Sequence, residues 1–243
     1  MRNLHSQIRP LDRAFFTRDP RRVARELLGK VLVRNENSRT ARRTARIVEV
    51  EAYLGEKDPA AHAAAGRTLR NSVLFGPPGH AYIYFIYGNH YCLNVSCEPE
   101  GRAGSVLFRA LEPLSGLEEM ARARGIEIHG PAISANISTK ALVKLTSGPG
   151  RLSEAFSITR ARDNGCDLTS AASSLWIGEE VGKEPGEDHY RTPAIRITPR
   201  IGISKAADKP LRYVIDGNPF VSGRLRAGPG PLARTRRAAR QVS

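Results

Sequence analysis

Across Ile47 to Leu54 apolar and polar positions alternate, with Val48, Val50, Ala52 and Leu54 on one parity and Glu49, Glu51 and Tyr53 on the other. A period of two marks a strand with one core-facing side. The segment is therefore expected to be a strand carrying two carboxylates and a phenol on the side away from the core.

The rest of the pattern surrounds this strand with others. Asp19-Pro20 is a helix start, Val23, Leu27 and Leu28 form its apolar stripe, and Gly29 ends it. Lys30 to Arg34 reads as a strand, Asn35 to Arg43 as a polar loop, and Lys57 to Thr68 as a loop carrying His62. After the turn Gly76-Pro77-Pro78-Gly79, two aromatic strands, Ala81 to Ile86 and Tyr91 to Ser96, flank a hairpin tip at Tyr87-Gly88-Asn89-His90. Gly104 to Leu111 predicts a strand, Leu117 to Arg124 a helix, Gly125 to Lys140 a variable loop and Pro149 to Phe156 a short helix. Further strands of one mixed sheet are expected near Leu175 to Gly178, Ala194 to Thr198 and Leu211 to Ile215. There is no internal repeat. Residues 1–223 are expected to form one domain with a loose N-terminus, and 224–243 a basic, mobile tail.

Charge narrows the partner. With 38 Lys and Arg against 24 Asp and Glu, the formal net charge is +14, which favours an anionic partner and, without a long apolar or basic amphipathic stretch, nucleic acid over a membrane. Three cysteines, Cys92, Cys97 and Cys166, support neither a disulfide framework nor a zinc site. The polar start Met1 to Pro10 has no signal-peptide core, so a cytoplasmic location is expected.

Against this basic background a carboxylate facing phosphates is unhelpful for binding, which makes Glu51 a candidate for chemistry. The plainer alternative is a strand glutamate paired with an arginine, and Glu49 fits that role equally well. Tyr82, Tyr84, Phe85, Tyr87 and Tyr91 suggest base stacking or a wedge, with core packing as the alternative. Tyr87, at the tip and of opposite parity to Tyr82 and Tyr84, is the better wedge. His62 is either a base contact or a solvated loop histidine, and Asn94 and Arg109 are strand residues that need partners if buried.

The segments Ile47-Val-Glu-Val-Glu-Ala-Tyr-Leu-Gly55, Ala60-Ala-His62, Arg70-Asn71, Tyr82-Ile-Tyr84-Phe-Ile-Tyr87-Gly88, Cys92-Leu-Asn94-Val95 and Leu107-Phe-Arg109-Ala-Leu-Glu-Pro113 together resemble the alkyladenine (3-methyladenine) DNA glycosylase family. The likeness continues through Ser147-Gly-Pro-Gly150, Asp167-Leu168, Arg200-Ile-Gly-Ile203 and Lys209-Pro-Leu-Arg212. It implies an α+β fold, a single compact domain around a curved, mostly antiparallel β-sheet with flanking helices and a protruding β-hairpin. It also implies a monomer that needs no metal or cofactor and acts on double-stranded DNA containing damaged purines. In that family's terms Glu51 is the general base and Arg109 supports the catalytic water. Tyr53, His62 and Tyr84 line the base pocket, Asn94 crowds the amine of an undamaged guanine, and Tyr87 enters the minor groove. The tip departs from the familiar pattern, with Asn89 and His90 where an apolar residue often follows the glycine.

The implied chemistry is extrusion of the nucleotide followed by hydrolysis of its glycosidic bond. No lysine lies in the matched pocket motifs, so a Schiff-base lyase step is not expected. The rivals are a minor-groove binding module without chemistry, and a zinc base deaminase, whose H-x-E and P-C-x-x-C signature is lacking.

Overall fold

The computed structural model describes residues 7–35, 42–86, 88, 90–126, 138–181 and 194–223. In chain order it contains β1 (Gln7–Pro10), α1 (Arg13–Phe16), α2 (Pro20–Leu27), β2 (Val31–Arg34), β3 (Arg43–Tyr53), β4 (Ala81–Ile86), β5 (His90–Ser96) and β6 (Ser105–Ser115). Then come α3 (Leu117–Ala123), α4 (Thr139–Thr146), α5 (Pro149–Ala155), α6 (Arg160–Asp163), β7 (Leu175–Val181), β8 (Ile195–Thr198) and β9 (Arg212–Ile215). Short 3-10 turns occupy Gly55–Lys57, His62–Ala65 and Ser72–Phe75.

The fold is α+β, as expected, around one sheet in the order β1-β7-β2-β3-β6-β5-β4, with β9 pairing both β3 and β8. Every pairing among these strands is antiparallel. The long strand β3 organises it. Its first half pairs β2, its second half pairs β9 on that same edge, and β6 runs along its other edge. Local chemistry starts α2 where the sequence predicts: the Asp19 side chain accepts the Arg21 N–H, and Pro20 opens the helix. The main core packs Phe16, Leu27, Ile47, Val50, Phe108, Met120 and Phe156, while Leu74, Phe75 and Tyr82 form a smaller cluster.

Several expectations need correction. The strand Ile47 to Leu54 is not half-exposed, because Glu49 and Glu51 are as fully buried as Val50 and Ala52. Its outer face is covered by the backbone at Ile201 and Ser222, whose N–H groups bond to these carboxylates. Nor do Val48, Val50 and Ala52 share one side. Register shifts around Glu49 move Val48 out of the main core to pack with Ala110 and Phe220, while Ile47 joins Val50 and Ala52.

His62 opens a 3-10 turn instead of lying in an irregular loop. Helix α4 begins inside the expected variable loop Gly125 to Lys140, with Ser138 accepting the Ala141 N–H, and residues 127–137 are outside the described ones. Tyr87, Asn89 and the tail 224–243 also lie outside the described residues. Among the described residues no helix is long and apolar enough to cross a membrane.

Candidate active site

Residues directly opposite in an antiparallel ladder present their side chains on one face. The register therefore writes a row across five strands: Tyr82 opposite Asn94, Asn94 opposite Leu107, Leu107 opposite Glu51, and Glu51 opposite Arg212. Beside it Tyr84 stands opposite Cys92, and Ser105 opposite Tyr53. Over this face lies a cavity of about 380 Å³, whose walls include Tyr53, His62, Tyr84, Asn94, Leu107 and Arg109. The volume falls in the range of small-ligand pockets.

Arg109 reaches the site through a sheet irregularity. Between the pairs Glu49–Ala110 and Val50–Phe108, β6 carries one residue more than β3, and that residue is Arg109. Bulges re-aim side chains. Here the guanidinium bridges two buried carboxylates, with Nε donating to Glu49 Oε1 at 2.9 Å and Nη1 lying 3.2 Å from Glu51 Oε1. Arg212 Nε donates to the same Glu49 oxygen at 2.7 Å, and the Ser222 N–H to the other at 2.6 Å.

Glu51 itself stands just behind the cavity wall. Its Oε1 accepts the Ile201 N–H at 2.8 Å and its Oε2 accepts the Tyr53 hydroxyl at 3.0 Å. Tyr53 is held from its other side, where the Arg200 guanidinium carbon lies 4.6 Å from the ring centroid. Arg200 is in turn clamped by Asp58, with its two terminal nitrogens donating to the carboxylate at 2.5 and 2.9 Å. The turn that delivers Asp58 depends on Gly55, which has φ +71° and whose Cβ, if present, would lie 1.9 Å from the Ala103 carbonyl oxygen.

On the opposite wall the rings of His62 and Tyr84 meet edge to face at 4.5 Å, and His62 Nδ1 lies 2.8 Å from the Tyr82 hydroxyl. Asn94 is buried, its amide donating to the Tyr82 carbonyl at 3.2 Å. A cavity lined by aromatic rings, with a buried arginine–carboxylate pair at and behind its wall, is suited to hold a flat ring and to place charge beside it.

Comparison with known proteins decides the family. Residues 14–219 match the model of the methylpurine-DNA glycosylase family. A relative from Koribacter versatilis is 56% identical over 90% of this chain and 96% of its own length. Relatives from Methanoculleus marisnigri (45% identical over 88% of this chain and 99% of that one) and Burkholderia lata (43% over 88% and 91%) are similar. Each carries the name "Putative 3-methyladenine DNA glycosylase". The chain belongs to the methylpurine-DNA glycosylase family. It is a DNA glycosylase, a hydrolase of N-glycosyl bonds, and its substrate is DNA.

The cavity is electrostatically uneven. Burial raises Glu51 above the ordinary carboxylate range; the Arg109 charge, the Ile201 N–H and the Tyr53 hydroxyl oppose that rise without cancelling it. Burial alone would lower Arg109, but the charges of Glu51 and Glu49 hold it above its usual value. Tyr53 and Tyr84 are raised, chiefly by burial, so both stay protonated donors, and burial pushes the Cys92 thiol up to about 11. His62 is lowered, first by burial and then by Arg70, which favours its neutral form although the residue is exposed.

Of the residues singled out in the sequence, Tyr53, His62, Tyr84, Asn94 and Arg109 line one cavity, and Glu51 adjoins it. Sequence reasoning from the residues missed Asp58, Arg200 and Arg212. The only signal available for the two arginines was their place in the segments Arg200-Ile-Gly-Ile203 and Lys209-Pro-Leu-Arg212. Glu49, weighed as a structural partner, makes the ion pairs with Arg109 and Arg212. Among the described residues no group of three or more metal-ligating side chains is present.

Proposed function

We propose that this glycosylase flips alkylated or deaminated purines, namely 3-methyladenine, 7-methylguanine, hypoxanthine and ethenoadenine, out of duplex DNA and hydrolyses their N-glycosidic bond, with Glu51 as the base. The observation that carries this reading is a fully buried carboxylate, held by Arg109, Tyr53 and the Ile201 N–H, at the wall of an aromatic cavity. A base inside the stack hides its C1′ atom, so extrusion precedes chemistry and costs least for damaged or mispaired bases. The extruded ring stacks between Tyr53 and the His62–Tyr84 pair, and a cationic alkylated purine gains more from these π faces than a neutral one.

Cleavage builds positive charge on the sugar, which the Glu51 carboxylate stabilises while it takes a proton from the attacking water. Each carboxylate oxygen has two acceptor sites, so Oε2 can accept from a water as well as from Tyr53. Arg109 favours the ionised form against the burial that opposes it. Neutral His62 contacts the base without competing for the proton. Asn94, on the cavity floor, excludes the amine of undamaged guanine, and Tyr87 fills the gap left in the duplex. No lysine is among the cavity's described lining residues, which supports hydrolysis without a lyase step.

The same reading assigns residues 1–223 to a glycosylase domain that works as a monomer in the cytoplasm, with 224–243 as a basic tail. A single-turnover assay on lesion-bearing duplexes, scored for free base and for alkali-labile sites, tests it. Wild type releases base and Glu51→Gln binds the lesion without releasing it. Absence of release from every lesion would favour a binding module instead.

A further inference from the structure

Among the described residues one large apolar side chain is far more exposed than the rest: Leu69 is 98% exposed, against 45% for Phe85 and 36% for Leu114 and Ile201. A lone exposed leucine needs no explanation by itself. This one differs in what holds it and what surrounds it. The loop Gly66–Asn71 is built on the buried Asn71, whose amide donates to the carbonyls of Gly66 at 2.9 Å and His62 at 3.0 Å, and whose Oδ1 accepts the Thr68 N–H at 2.7 Å. The Ser72 hydroxyl donates to the Leu69 carbonyl at 3.2 Å. The backbone is thus pinned while the side chain is held out in water.

Its position is equally specific. The bond from Asn71 to the His62 carbonyl fastens the loop to the cavity's wall, and Leu69 is flanked by Arg67 and Arg70, both exposed. Arg70 is close enough to lower His62 and to oppose the rise of Tyr82. A rigid apolar tip between two cations, on the rim of a pocket that receives a base from DNA, matches the surface of an opened duplex: apolar edge exposed by unstacking, phosphates on either side.

We propose that the loop Gly66–Arg70 is a DNA-engaging element in which Leu69 enters the unstacked step beside the lesion and Arg67 and Arg70 contact phosphates. The proposal rests on the base-extrusion reading above and adds a residue and a partner surface to it. Because the loop is already ordered, contact with DNA costs little further immobilisation. Leu69 acts on the duplex rather than on the base in the cavity, so its effect depends on there being a stack to hold open.

The test compares full-length wild type, Leu69→Ala, Leu69→Met and Arg67→Gln on one lesion placed in duplex and in single-stranded oligonucleotides. A 2-aminopurine next to the lesion reports unstacking. Leu69→Ala is expected to lower single-turnover release from duplex by about tenfold and to reduce the fluorescence rise. It should leave single-strand release unchanged, and Leu69→Met should restore the duplex rate. Arg67→Gln should reduce the slope of log affinity against log salt by about one. Unchanged duplex release and fluorescence in Leu69→Ala, or an equal loss on single strands, would overturn the proposal. If wild type releases no base, the base-release reading fails separately and the fluorescence comparison alone decides the loop.

Discussion

Among the described residues, two buried arginine–carboxylate clusters anchored on the sheet differ in their surroundings: one ties a helix to it, and the other adjoins the aromatic cavity. At the β2 end Arg34 Nη1 donates to Asp163 Oδ1 at 2.7 Å, with both side chains essentially unexposed. Arg34 also donates to the Phe156 carbonyl and Ser174 Oγ, and Asp163 accepts the Thr159 N–H, so that cluster ties α6 to the sheet, and neither residue lines the aromatic cavity. At the β3–β6 bulge Arg109 joins Glu49 to Glu51 with similar distances, yet its guanidinium lines the cavity and Glu51 reaches that wall through Tyr53. The difference teaches that burial of an ion pair is by itself weak evidence of chemistry. What distinguishes Glu51 is its place behind the wall of a ring-sized space, bonded to the lining Tyr53, and a protonation balance in which burial still outweighs its partners.

The largest separation should come from removing one carboxylate charge at each cluster. Glu51→Gln is expected to lower base release by about 10²- to 10⁴-fold, the usual scale for a general base, with unfolding temperature unchanged or higher because a buried charge is gone. Asp163→Ala should do the reverse, destabilising the fold by about 3–5 kcal/mol by stranding Arg34 while leaving the rate per folded molecule intact. Denaturant titration together with single-turnover kinetics reads both. A rate loss in Asp163→Ala beyond its unfolded fraction would erase the contrast.

A smaller effect sharpens it through pH. Since Glu51 must be ionised to accept a proton and burial raises its folded value, release should climb with pH along a limb lying above the ordinary glutamate range. Facing Glu51 are Arg109, Tyr53, Glu49 and the Ile201 N–H, with Arg212 opposite it across the ladder. Arg109 is the strongest group favouring its ionised form, so Arg109→Gln should move the limb to still higher pH as well as slowing release. Its raised value also means that Glu51 contributes to stability at pH below its unfolded value and loses that contribution as pH rises through the folded one. A limb in the ordinary carboxylate range, unmoved by Arg109→Gln, would assign it to another group.

The smallest expected effect lies at Tyr53's support. Burial alone would raise Asp58, but the Arg200 hydrogen bonds, the Leu54 and Ala60 N–H groups and the Arg200 charge together more than reverse this, leaving it below the usual carboxylate value. Its contribution to stability is therefore present above the unfolded value and lost as pH falls through the folded one. Asp58→Asn should remove that acid sensitivity and weaken lesion binding more than the chemical step, through a less restrained Arg200 and Tyr53. Thermal melts across acidic pH and separate measurement of KM and kcat check it.

Much of this architecture was legible in the chain. Asp19-Pro20 marks α2, and the turn residues around Ala81–Ser96 mark the hairpin strands within a residue of their observed ends. The parity of Tyr82 and Tyr84 puts both rings on one face, with centroids 5.7 Å apart. Helix α4 was missed although Ser138 offers an N-cap and Leu142 and Leu145 an apolar spacing, because the polar run before it read as a loop. The short strand β1 has no alternation to betray it and exists through its pairing with β7.

By itself the sequence determined where most of the strands lie, that Tyr82 and Tyr84 share a face, and, through the order of its acidic and aromatic segments, which family it resembles. These depend on neighbours in the chain, through dihedral preference and side-chain period. Only the tertiary structure decided that Glu51 is buried instead of exposed, that a bulge turns Arg109 onto both carboxylates, and that Arg200, 142 residues from Asp58, backs Tyr53. Burial and charge pairing are set by what folds over a face from far along the chain. No local period can carry that information.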